Sequence, residues 1–588
     1  MCGLAGISLR RGQTIGRSAF NVLQNALRHR GPDGEGQYNG DGVALVHTRL
    51  SIIDLETGNQ PISAGQGPVL VANAEIYNDL ALRSELGADT YATKSDCESA
   101  LRLYLRDGPK FADGLRGMYA IAIHDPGRNC LVLARDPFGI KPLYYAEIDQ
   151  GLAFASEPQA LIAAGLVAPD VDPVARSQVL ALQYSIGRET PIRGIHRVLP
   201  GETLVIRDGE IIDRLRRQAL PRERRNQASI DDALMAFSSA WRDSVDVHQR
   251  ADVPYGMFLS GGLDSSAVLA IMAQLNSSPV LAFTAAFPGT AVHDERETAR
   301  RVAQHFGARH VEIEVTADDF WRRLPAIAAA VDDPTADYAV IPTYLLAERA
   351  RRDVKVVLTG EGGDELLAGY GRYRAALRPW PFRRKPWRSG LLDGLGLLSE
   401  NRHQWRAGIA ALESDAAQTG FSGLRAAQAV DCAAWLPNDL LTKLDRCLMT
   451  HGVEGRVPFL DPIVSDAVFS LPDRFKIAKG RGKWLLRHWT AKHVPVIDAF
   501  AAKRGFTVPV GSWIAAQGAR LGPVLAAHPA IAEICRAGRV IELCKDGKAA
   551  RYGHALWVLL FYALWHNRHI LGHDASGDVF DALAAGNR

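Results

Sequence analysis

The sequence predicts two successive domains, a β-sandwich flanked by helices and then an α/β domain built on a parallel sheet. Its 588 residues, 47% of them hydrophobic, suffice for more than one core. Short β-type runs broken by Gly, Pro, Asn and Asp fill the first 200 residues, a pattern that favours packed sheets. Beyond residue 227, long helices alternate with short apolar strands at 253–259, 280–287 and 354–358, which is typical of crossovers around a parallel sheet.

This change in the predicted secondary-structure pattern also gives the expected domain bounds. We expect a first domain over residues 2–205, a linker over 206–226, a second domain over 227–515 and a helical extension of it over 516–588. The second half of the predicted linker is rich in arginine and contains a single proline. The apolar run at 555–565 is too short to cross a bilayer, so it predicts a buried helix.

Composition narrows the class of protein. The formal charge is only +3, and the densest basic block is the short run 383–386, so no nucleic-acid partner is expected. The seven cysteines show no C-x-x-C pair, which suits reduced thiols, and the first residues do not form a secretory signal. We expect a soluble cytoplasmic protein with no membrane partner; a homodimer is left open.

The chain start carries a candidate nucleophile. In MCGLAGI, removal of the initiator methionine would give Cys2 both a thiol and a free α-amine. That amine, with an ordinary pKa near 8, can accept the thiol proton at neutral pH. Taken alone, Cys2 is better interpreted as a small residue at the start of a strand, and the motifs below change that interpretation.

The segment 253–270 predicts a phosphate-binding loop. A strand ends in Ser260-Gly-Gly-Leu-Asp-Ser-Ser266, which opens a helix, so backbone N–H groups and hydroxyls would face an anion. Asp264 would repel bare phosphate and therefore suggests a bridging Mg²⁺. The loop lacks the G-x-x-x-x-G-K-[ST] pattern of P-loops and resembles that of the N-type ATP pyrophosphatases.

A second acidic turn, 358–365, also follows a short strand. Because ligands collect at the carboxyl ends of strands in open α/β sheets, its Asp364 could share a Mg²⁺-pyrophosphate with Asp264. Lys483, in the segment 480–487, offers a cation for the charge that grows on departing pyrophosphate. A solvated acidic turn and a solvent-facing lysine are the competing interpretations.

These motifs occur in an ordered series along most of the chain. The chain resembles the glutamine-hydrolysing asparagine synthetases, in which a class II glutamine amidotransferase domain of the N-terminal nucleophile type is fused to an ATP-pyrophosphatase synthetase domain. The resemblance rests on MCGLAGI, RHRGPD (28–33), TRLSIID (48–54), NAEIYN (73–78), SDCE (95–98), ARDPFGIKPLY (134–144), FASE (154–157), SGGLDSS, TGEGGDE (359–365), LLTKLDR (440–446), GVEGRVPFLD (452–461), GKWLLR (482–487) and KRGF (503–506).

For the first domain, the resemblance implies a glutaminase. Cys2 would attack the side-chain amide of glutamine and form a thioester. Asn73 and the backbone N–H of Ala74 would form the oxyanion hole. The residues expected to bind glutamine are Arg49, at its α-carboxylate, Glu75 and Asp96, at its α-ammonium, and Leu50, Ser51, Ile52, Ile53, Asn73 and Ala74.

For the second domain, the resemblance implies activation of the aspartate side chain by ATP as an acyl-adenylate, with Lys483 catalytic and Glu361 positioning aspartate. Ammonia would reach this site through an internal apolar passage. The residues expected to bind ATP are Leu259, Ser260, Gly261, Gly262, Asp264, Ser265, Ala285, Thr359 and Gly360, and those expected to bind Mg²⁺ are Asp264 and Asp364.

Three departures from the family pattern bear on the efficiency of the glutaminase and on the identity of the acceptor. Ala74 replaces a glycine, Cys97 replaces a threonine, and Gly455 is the middle residue of Glu-x-Arg. If the replaced glycine needs a positive φ, the Cβ of Ala74 would cost about 1–2 kcal/mol. Two alternatives stay open. One is a glutamine-dependent amidotransferase of the same family acting on another carboxylate, of a natural product, peptide or sugar; the other is a non-catalytic remnant.

Overall fold

The computed structural model describes residues 2–222, 229–292, 294–378, 387–400, 405–502, 505, 507–546 and 550–587. The predicted basic block 383–386, residues 223–226 of the predicted linker, and residues 503, 504 and 506 of the KRGF segment lie outside this part of the chain.

Two six-stranded sheets, each antiparallel throughout, form the first domain. Their strand orders are β10-β8-β9-β1-β3-β2 and β12-β11-β7-β6-β5-β4. The strands are β1 Gly3–Leu9, β2 Gly34–Gly40, β3 Val43–Arg49, β4 Ile62–Ser63, β5 Val69–Ile76, β6 Gly117–Asp125, β7 Cys130–Arg135, β8 Tyr144–Ile148, β9 Gly151–Ala155, β10 His196–Arg197, β11 Glu202–Arg207 and β12 Glu210–Arg216.

The two sheets pack face to face. Leu4 and Leu45 of the first sheet share a buried cluster with Val71 and Leu133 of the second. Helices cover the outer faces: α1 and α4 pack with the first sheet and α3 with the second. The sandwich flanked by helices is therefore confirmed. The helices of this domain are α1 Arg17–Ala26, α2 Asp79–Leu86, α3 Cys97–Asp107, α4 Pro158–Ala163 and α5 Pro173–Leu182, with 3₁₀ turns Ala88–Thr90 and Gly108–Gly114.

Strand β12 lies inside the interval 206–226 that we predicted to be a linker. It is an edge strand paired with β11, and most of its side chains are exposed, so its charged composition looks like that of a linker. The part of that interval without strand structure begins after Arg216.

The second domain is built on a five-stranded parallel sheet of order β15-β14-β13-β16-β17, as predicted. Its strands and helices are α6 Ile230–His248, β13 Tyr255–Phe258, α7 Leu263–Leu275, β14 Leu281–Ala286, α8 Arg296–His305, β15 Arg309–Glu314, α9 Ala317–Ala330, α10 Val340–Ala350, β16 Val356–Leu358, α11 Gly363–Leu366, α12 Gly371–Ala376, α13 Trp405–Gln418, α14 Gly423–Ala433, a π-helical segment Leu436–Leu441, α15 Thr442–Met449, β17 Glu454–Arg456, a 3₁₀ turn Pro458–Leu460, α16 Pro462–Phe469, α17 Asp473–Lys476, α18 Trp484–His493 and α19 Val510–Ala516.

The C-terminal region is helical, as expected. It comprises α20 Gly518–Ala527, α21 Pro529–Ala532, α22 Ala537–Lys545, α23 Ala550–His569 and α24 Val579–Gly586. The predicted buried helix is confirmed, since every residue from Ala555 to Trp565 is at most 3% exposed within α23. In the described part of the chain, no helix combines the length and apolarity that crossing a bilayer requires.

Candidate functional site

Cys2 lies just before β1, a strand flanked by β9 and β3 in the first sheet. Its backbone nitrogen donates to Asn73 Oδ1 over 3.0 Å, and Asn73 belongs to β5 of the facing sheet. The amide nitrogen Nδ2 of Asn73 is buried and has no hydrogen-bond partner among the described residues. The sandwich thus places a free amide donor beside the chain start, as an oxyanion hole requires.

Cys2 is buried, with 8% of the residue exposed. Burial raises its pKa, while the positive charge at the chain start, the N–H of Leu50 and the Arg49 guanidinium act in the opposite direction. Access to a proton acceptor is therefore what would make this sulfur nucleophilic.

Arg49 ends β3 beside this thiol. Its Nη1 donates to Asn59 Oδ1 over 2.8 Å and its Nη2 to the Asp54 carbonyl over 2.5 Å, so the loop that follows fixes the guanidinium plane. That loop contains residues 50–53, four more of the predicted glutamine contacts. A fixed guanidinium suits bidentate binding of a carboxylate.

Asp96 precedes α3 and is buried. One carboxylate oxygen accepts from the backbone N–H of Ile76 over 2.6 Å, and burial raises the pKa of the carboxyl group to about 6. A buried carboxylate of this kind is stabilised by an incoming cation, which fits the predicted contact with an ammonium group.

Glu75 has a partner that the sequence did not predict. Its Oε2 lies 3.0 Å from Nη2 of Arg456, which belongs to β17 of the second domain. Burial raises the pKa of Glu75, against the lowering effect of Arg456. This residue therefore joins the two domains next to the candidate glutamine site.

Ala74 does not occupy the strained conformation considered from the sequence. It lies inside β5 opposite Tyr119, and its φ is not positive. Its Cβ belongs to the apolar cluster beneath α3, which also includes Cys97, and the Cys97 sulfur lies 3.9 Å from the Ala74 carbonyl. Two of the departures found in the sequence are thus neighbours in one core.

The loop 259–262 connects β13 to α7, as the phosphate-binding pattern predicts. Gly261 has φ +73°, and a Cβ there would lie 2.8 Å from the backbone nitrogen of Ala299. The Ser265 hydroxyl bonds to the nitrogen of Ser260 over 3.2 Å and to its hydroxyl over 3.1 Å. These contacts hold the loop against the start of α7, where N–H groups favour an anion.

Asp264 and Asp364 come together at the carboxyl ends of the adjacent parallel strands β13 and β16. The Lys483 ammonium contacts both carboxylates, with its Nζ 2.8 Å from Asp364 Oδ1. Glycine allows this approach, because a Cβ at position 363 would lie 2.4 Å from Asp264 Oδ1. Burial lowers the pKa of Lys483 and the two carboxylates raise it, with a net rise, so the lysine stays charged.

The donor set fits Mg²⁺. Two carboxylates from neighbouring loops face one point beside a phosphate-type loop, and Mg²⁺ is commonly bound by one or two carboxylates plus substrate phosphates. Within the described ranges, no group of three or more His, Cys, Asp or Glu side chains is arranged to hold a metal. Phosphate oxygens would therefore have to complete the coordination.

A cavity of about 920 Å³ opens next to these residues. The predicted ATP contacts that line it are Leu259, Ser260, Asp264, Ser265, Ala285, Thr359 and Gly360. The Thr359 hydroxyl is buried and has no partner among the described residues, so it can bind a ligand. Glu361 lines the same cavity, and its pKa is raised by burial and by Asp337, Asp364 and Asp264.

A second cavity, of about 480 Å³, shares Ser260, Asp264 and Asp364 with the first. Arg487 also lines both cavities, and the second is lined in addition by Gly261, Gly262 and two further cations, Arg301 and Lys483. This cationic end suits the pyrophosphate part of a nucleotide.

Sequence reasoning missed two cavity residues, Asp337 and Lys443. The Lys443 ammonium lies 2.7 Å from Asp337 Oδ2 and 3.7 Å from Glu361 Oε1. A signal for Lys443 was present, since it is the one lysine of the LLTKLDR motif and has leucines at 440, 441 and 444 around it. Asp337 directly precedes the turn that leads into α10 and gave none.

The two candidate sites are joined through the edge strand β17. Arg456 contacts Glu75 on the glutaminase side, and its carbonyl accepts from the backbone N–H of Thr359 over 2.9 Å on the nucleotide side. Gly455 lets α15 pack against this strand, because a Cβ there would lie 3.0 Å from Leu448. Strand β17 therefore contacts residues of both candidate sites.

Comparison with known proteins agrees with this two-part geometry. The family model for asparagine synthase matches residues 236–567 and the model for a glutamine amidotransferase domain matches residues 1–216. The chain is 32% identical to asparagine synthetase [glutamine-hydrolyzing] 1 of Bacillus subtilis over 97% of each chain. It is 30% identical to asparagine synthetase B [glutamine-hydrolyzing] of Escherichia coli, over 87% of this chain and 83% of that one. The amidase chyE of Penicillium rubens is 31% identical over 66% of this chain and 62% of its own length.

Proposed function

Because the chain belongs to the glutamine-hydrolysing asparagine synthetase family, we propose that it transfers the amide nitrogen of glutamine to the side-chain carboxylate of aspartate. ATP would activate that carboxylate and leave as AMP and pyrophosphate. The observation that carries the proposal is the contact of Lys483 with both Asp264 and Asp364, two carboxylates that line the large cavity together with Glu361.

In the glutaminase step, the Cys2 sulfur attacks the side-chain amide carbon of glutamine. The α-amine of Cys2, freed by removal of Met1, takes the thiol proton and passes it to the departing ammonia. Asn73 Nδ2 and the N–H of Ala74 donate to the oxyanion, while Arg49 and Asp96 hold the α-carboxylate and α-ammonium. Water then hydrolyses the thioester to glutamate.

In the synthetase step, a carboxylate oxygen of aspartate attacks the α-phosphorus of ATP, and the bond to pyrophosphate breaks. Lys483 and the cations of the second cavity offset the charge that develops on pyrophosphate. Asp264 and Asp364 would hold Mg²⁺, which neutralises phosphate charge when bound. Ammonia attacks the resulting acyl-adenylate, and AMP leaves.

The ammonia must reach the adenylate unprotonated, because ammonium has no lone pair to attack with and predominates in neutral water. Transfer inside the molecule meets this need, and the close joining of the two sites through β17 supports it. All seven cysteines are buried and free. A cytoplasmic location and a homodimer remain predictions from the sequence.

Oxygen labelling tests the adenylate directly. Aspartate carrying ¹⁸O in its side-chain carboxylate, incubated with ATP, Mg²⁺ and ammonium chloride, should give AMP that contains one ¹⁸O atom. Unlabelled AMP formed together with asparagine would contradict the adenylate, and the absence of aspartate-dependent AMP would contradict aspartate as the acceptor.

A further inference from the structure

The candidate glutamine site is held partly from outside its own domain. We call residues 50–54 the glutamine loop, because four of them are predicted to contact glutamine. Asp252, which lies between α6 and β13 of the second domain, binds this loop at two points. Its Oδ2 accepts from the N–H of Asp54 over 2.8 Å, and its own N–H donates to the carbonyl of Ile52 over 2.9 Å. The glutamine loop is therefore clamped on both sides of Ile53.

The clamped part of the glutamine loop also holds Arg49. The Nη2 of Arg49 donates to the carbonyls of Ile53 over 3.3 Å and Asp54 over 2.5 Å. Asp54 has φ +56°, a left-handed conformation that few residues other than glycine adopt, so its backbone depends on neighbouring groups to hold it there. Asp252 thus fixes the carbonyls that orient the guanidinium expected at the α-carboxylate of glutamine.

Arg250, two residues before Asp252, also reaches into the first domain. Its Nη2 donates to Asp79 Oδ2 over 2.8 Å, while its Nη1 is buried and has no hydrogen-bond partner among the described residues. Asp79 is fully buried and accepts in addition from Arg83 and Ser99, so it has partners without Arg250. The charge of Arg250 is therefore available to a second buried carboxylate nearby.

That second carboxylate belongs to Asp96, the residue expected at the α-ammonium of glutamine. Burial raises its pKa, against the N–H of Ile76, which lowers it. The titratable groups around it come from both domains: Asp79, Glu75 and the neutral thiol of Cys97 from the first, and Arg250 and Arg456 from the second. Both arginines lower the pKa of Asp96 and both carboxylates raise it. The positive charge that favours ionised Asp96 thus comes from the second domain.

We propose that Arg250 and Asp252 are positioning residues of the glutamine site, supplied by the second domain. Asp252 fixes the loop that orients Arg49. Arg250 supplies positive charge beside Asp96. This inference rests on the proposed function and adds that glutamine binding in the first domain depends on a segment of the second. That segment, 250–252, leads into β13, whose other end opens the phosphate-binding loop, so one continuous stretch of chain serves both sites.

The test of Asp252 separates glutamine binding from the synthetase reaction. Glutamate release gives KM and kcat for glutamine, and pyrophosphate release with aspartate, ATP, Mg²⁺ and ammonium chloride reports on the second site. Asp252→Ala removes the acceptor for the N–H of Asp54 and should raise the KM about 3- to 10-fold, the range for one hydrogen bond. Its kcat and its ammonia-dependent rate should stay within about twofold of wild type. Asp252→Asn keeps an acceptor oxygen and should retain the wild-type KM.

The test of Arg250 uses the pH dependence of the same KM. In Arg250→Met, Asp96 loses a neighbouring positive charge and keeps its proton to higher pH. The fall of KM with rising pH should therefore move to higher pH in this variant and stay in place in Asp252→Ala. Arg250→Lys keeps the charge and should keep the wild-type profile. A role confined to folding would not shift the profile.

Asp243→Ala is the matched control. This aspartate of α6 also contacts the first domain, through Arg116, and Arg116 keeps Asp461 as a partner when it is removed. Its KM for glutamine and its pH profile should match wild type, which separates positioning of the glutamine site from docking of the domains in general.

A wild-type KM in Asp252→Ala, or an unshifted profile in Arg250→Met, would overturn the role of that residue. Equal losses of kcat and of the ammonia-dependent rate would show a structural role and overturn it as well. Should a variant fail to fold, Asp252→Leu and Arg250→Gln also remove the acceptor and the charge, and the same readouts decide. Wild-type protein that hydrolyses no glutamine would overturn this inference together with the glutaminase. Wild-type protein that hydrolyses glutamine but forms no asparagine would contradict the proposed acceptor alone, and the KM and pH readouts would still decide the inference.

Discussion

Arg30 pairs with Asp445 across the domain interface through two hydrogen bonds, of 2.8 and 2.9 Å, although 415 residues separate them in sequence. Arg30 is fully buried, and its Nε also donates to the carbonyl of Cys2 over 3.3 Å. Asp445 lies on α15, the helix that carries Lys443. One buried ion pair thus links the backbone of the candidate nucleophile to the helix that lines the acceptor cavity.

Asp445→Asn should lower the free energy of unfolding by about 3–5 kcal/mol, because it removes a buried carboxylate that pairs with both Arg30 and Arg446 and leaves Arg30 with Glu157 as its remaining ion pair. It should also lower the asparagine formed per glutamate released below the wild-type ratio. Chemical denaturation and a paired assay of both products measure the two effects. The double variant Arg30→Met/Asp445→Leu should recover part of the stability but not the ratio, because Glu157 and Arg446 each lose one partner and keep another. A wild-type ratio in both proteins would argue against this link.

Cys2→Ala should abolish glutamine-dependent synthesis and leave ammonia-dependent synthesis within about twofold of wild type, because the residue lies outside the nucleotide cavity. Steady-state rates with glutamine and with ammonium chloride provide the measurement. Cys130→Ala, in β7 of the second sheet, is the control and should keep both activities. Equal loss of both activities in Cys2→Ala would contradict the division of labour.

Ala74→Gly should destabilise the protein by about 0.5–1 kcal/mol, because the residue sits in a strand at negative φ and its Cβ packs in an apolar cluster. The glutaminase rate should not rise. Thermal unfolding and glutamate release test this together. A stabilised protein with a faster glutaminase would show that the methyl group strains the oxyanion hole.

The KM for glutamine should fall as the pH rises from 5 to 7, because Asp96 must ionise to bind the ammonium and its pKa is about 6. Below that pKa the change approaches tenfold per pH unit. In the folded protein Asp96 keeps a proton that the unfolded chain releases above pH 3.8, so its contribution to stability falls between pH 3.8 and about 6. Asp96→Asn should bind glutamine weakly and without this pH dependence; an identical pH profile in the variant would exclude Asp96 as the ammonium ligand.

Lys483→Met and Asp264→Asn should each reduce aspartate-dependent pyrophosphate release at least 100-fold, the typical effect of removing one electrostatic group from a transition state. Glutamine hydrolysis should continue. Lys355→Met is the matched control. The Lys355 ammonium lies 2.7 Å from Asp33 Oδ2, and neither residue lines either cavity. Pyrophosphate release at the wild-type rate would remove Lys483 or Asp264 from the mechanism.

The features predicted correctly are those encoded locally. The strand, SGGLDSS loop and helix are contiguous, and the buried helix α23 is one unbroken apolar run, so neither depends on distant contacts. The candidate site depended partly on long-range pairing. Lys443 meets Asp337 across 106 residues, and no local pattern encodes that contact. Strand β12 was missed because an exposed, charged edge strand has the composition of a linker.

The most direct test of the account supplies amide-¹⁵N glutamine, ATP, Mg²⁺ and aspartate in the presence of excess unlabelled ammonium, and analyses the asparagine by mass spectrometry. The account predicts that the asparagine carries ¹⁵N undiluted by the ammonium in solution, since the nitrogen passes from Cys2 to the adenylate inside the molecule. Asparagine diluted to the isotope ratio of the solution, or the absence of labelled asparagine, would contradict it.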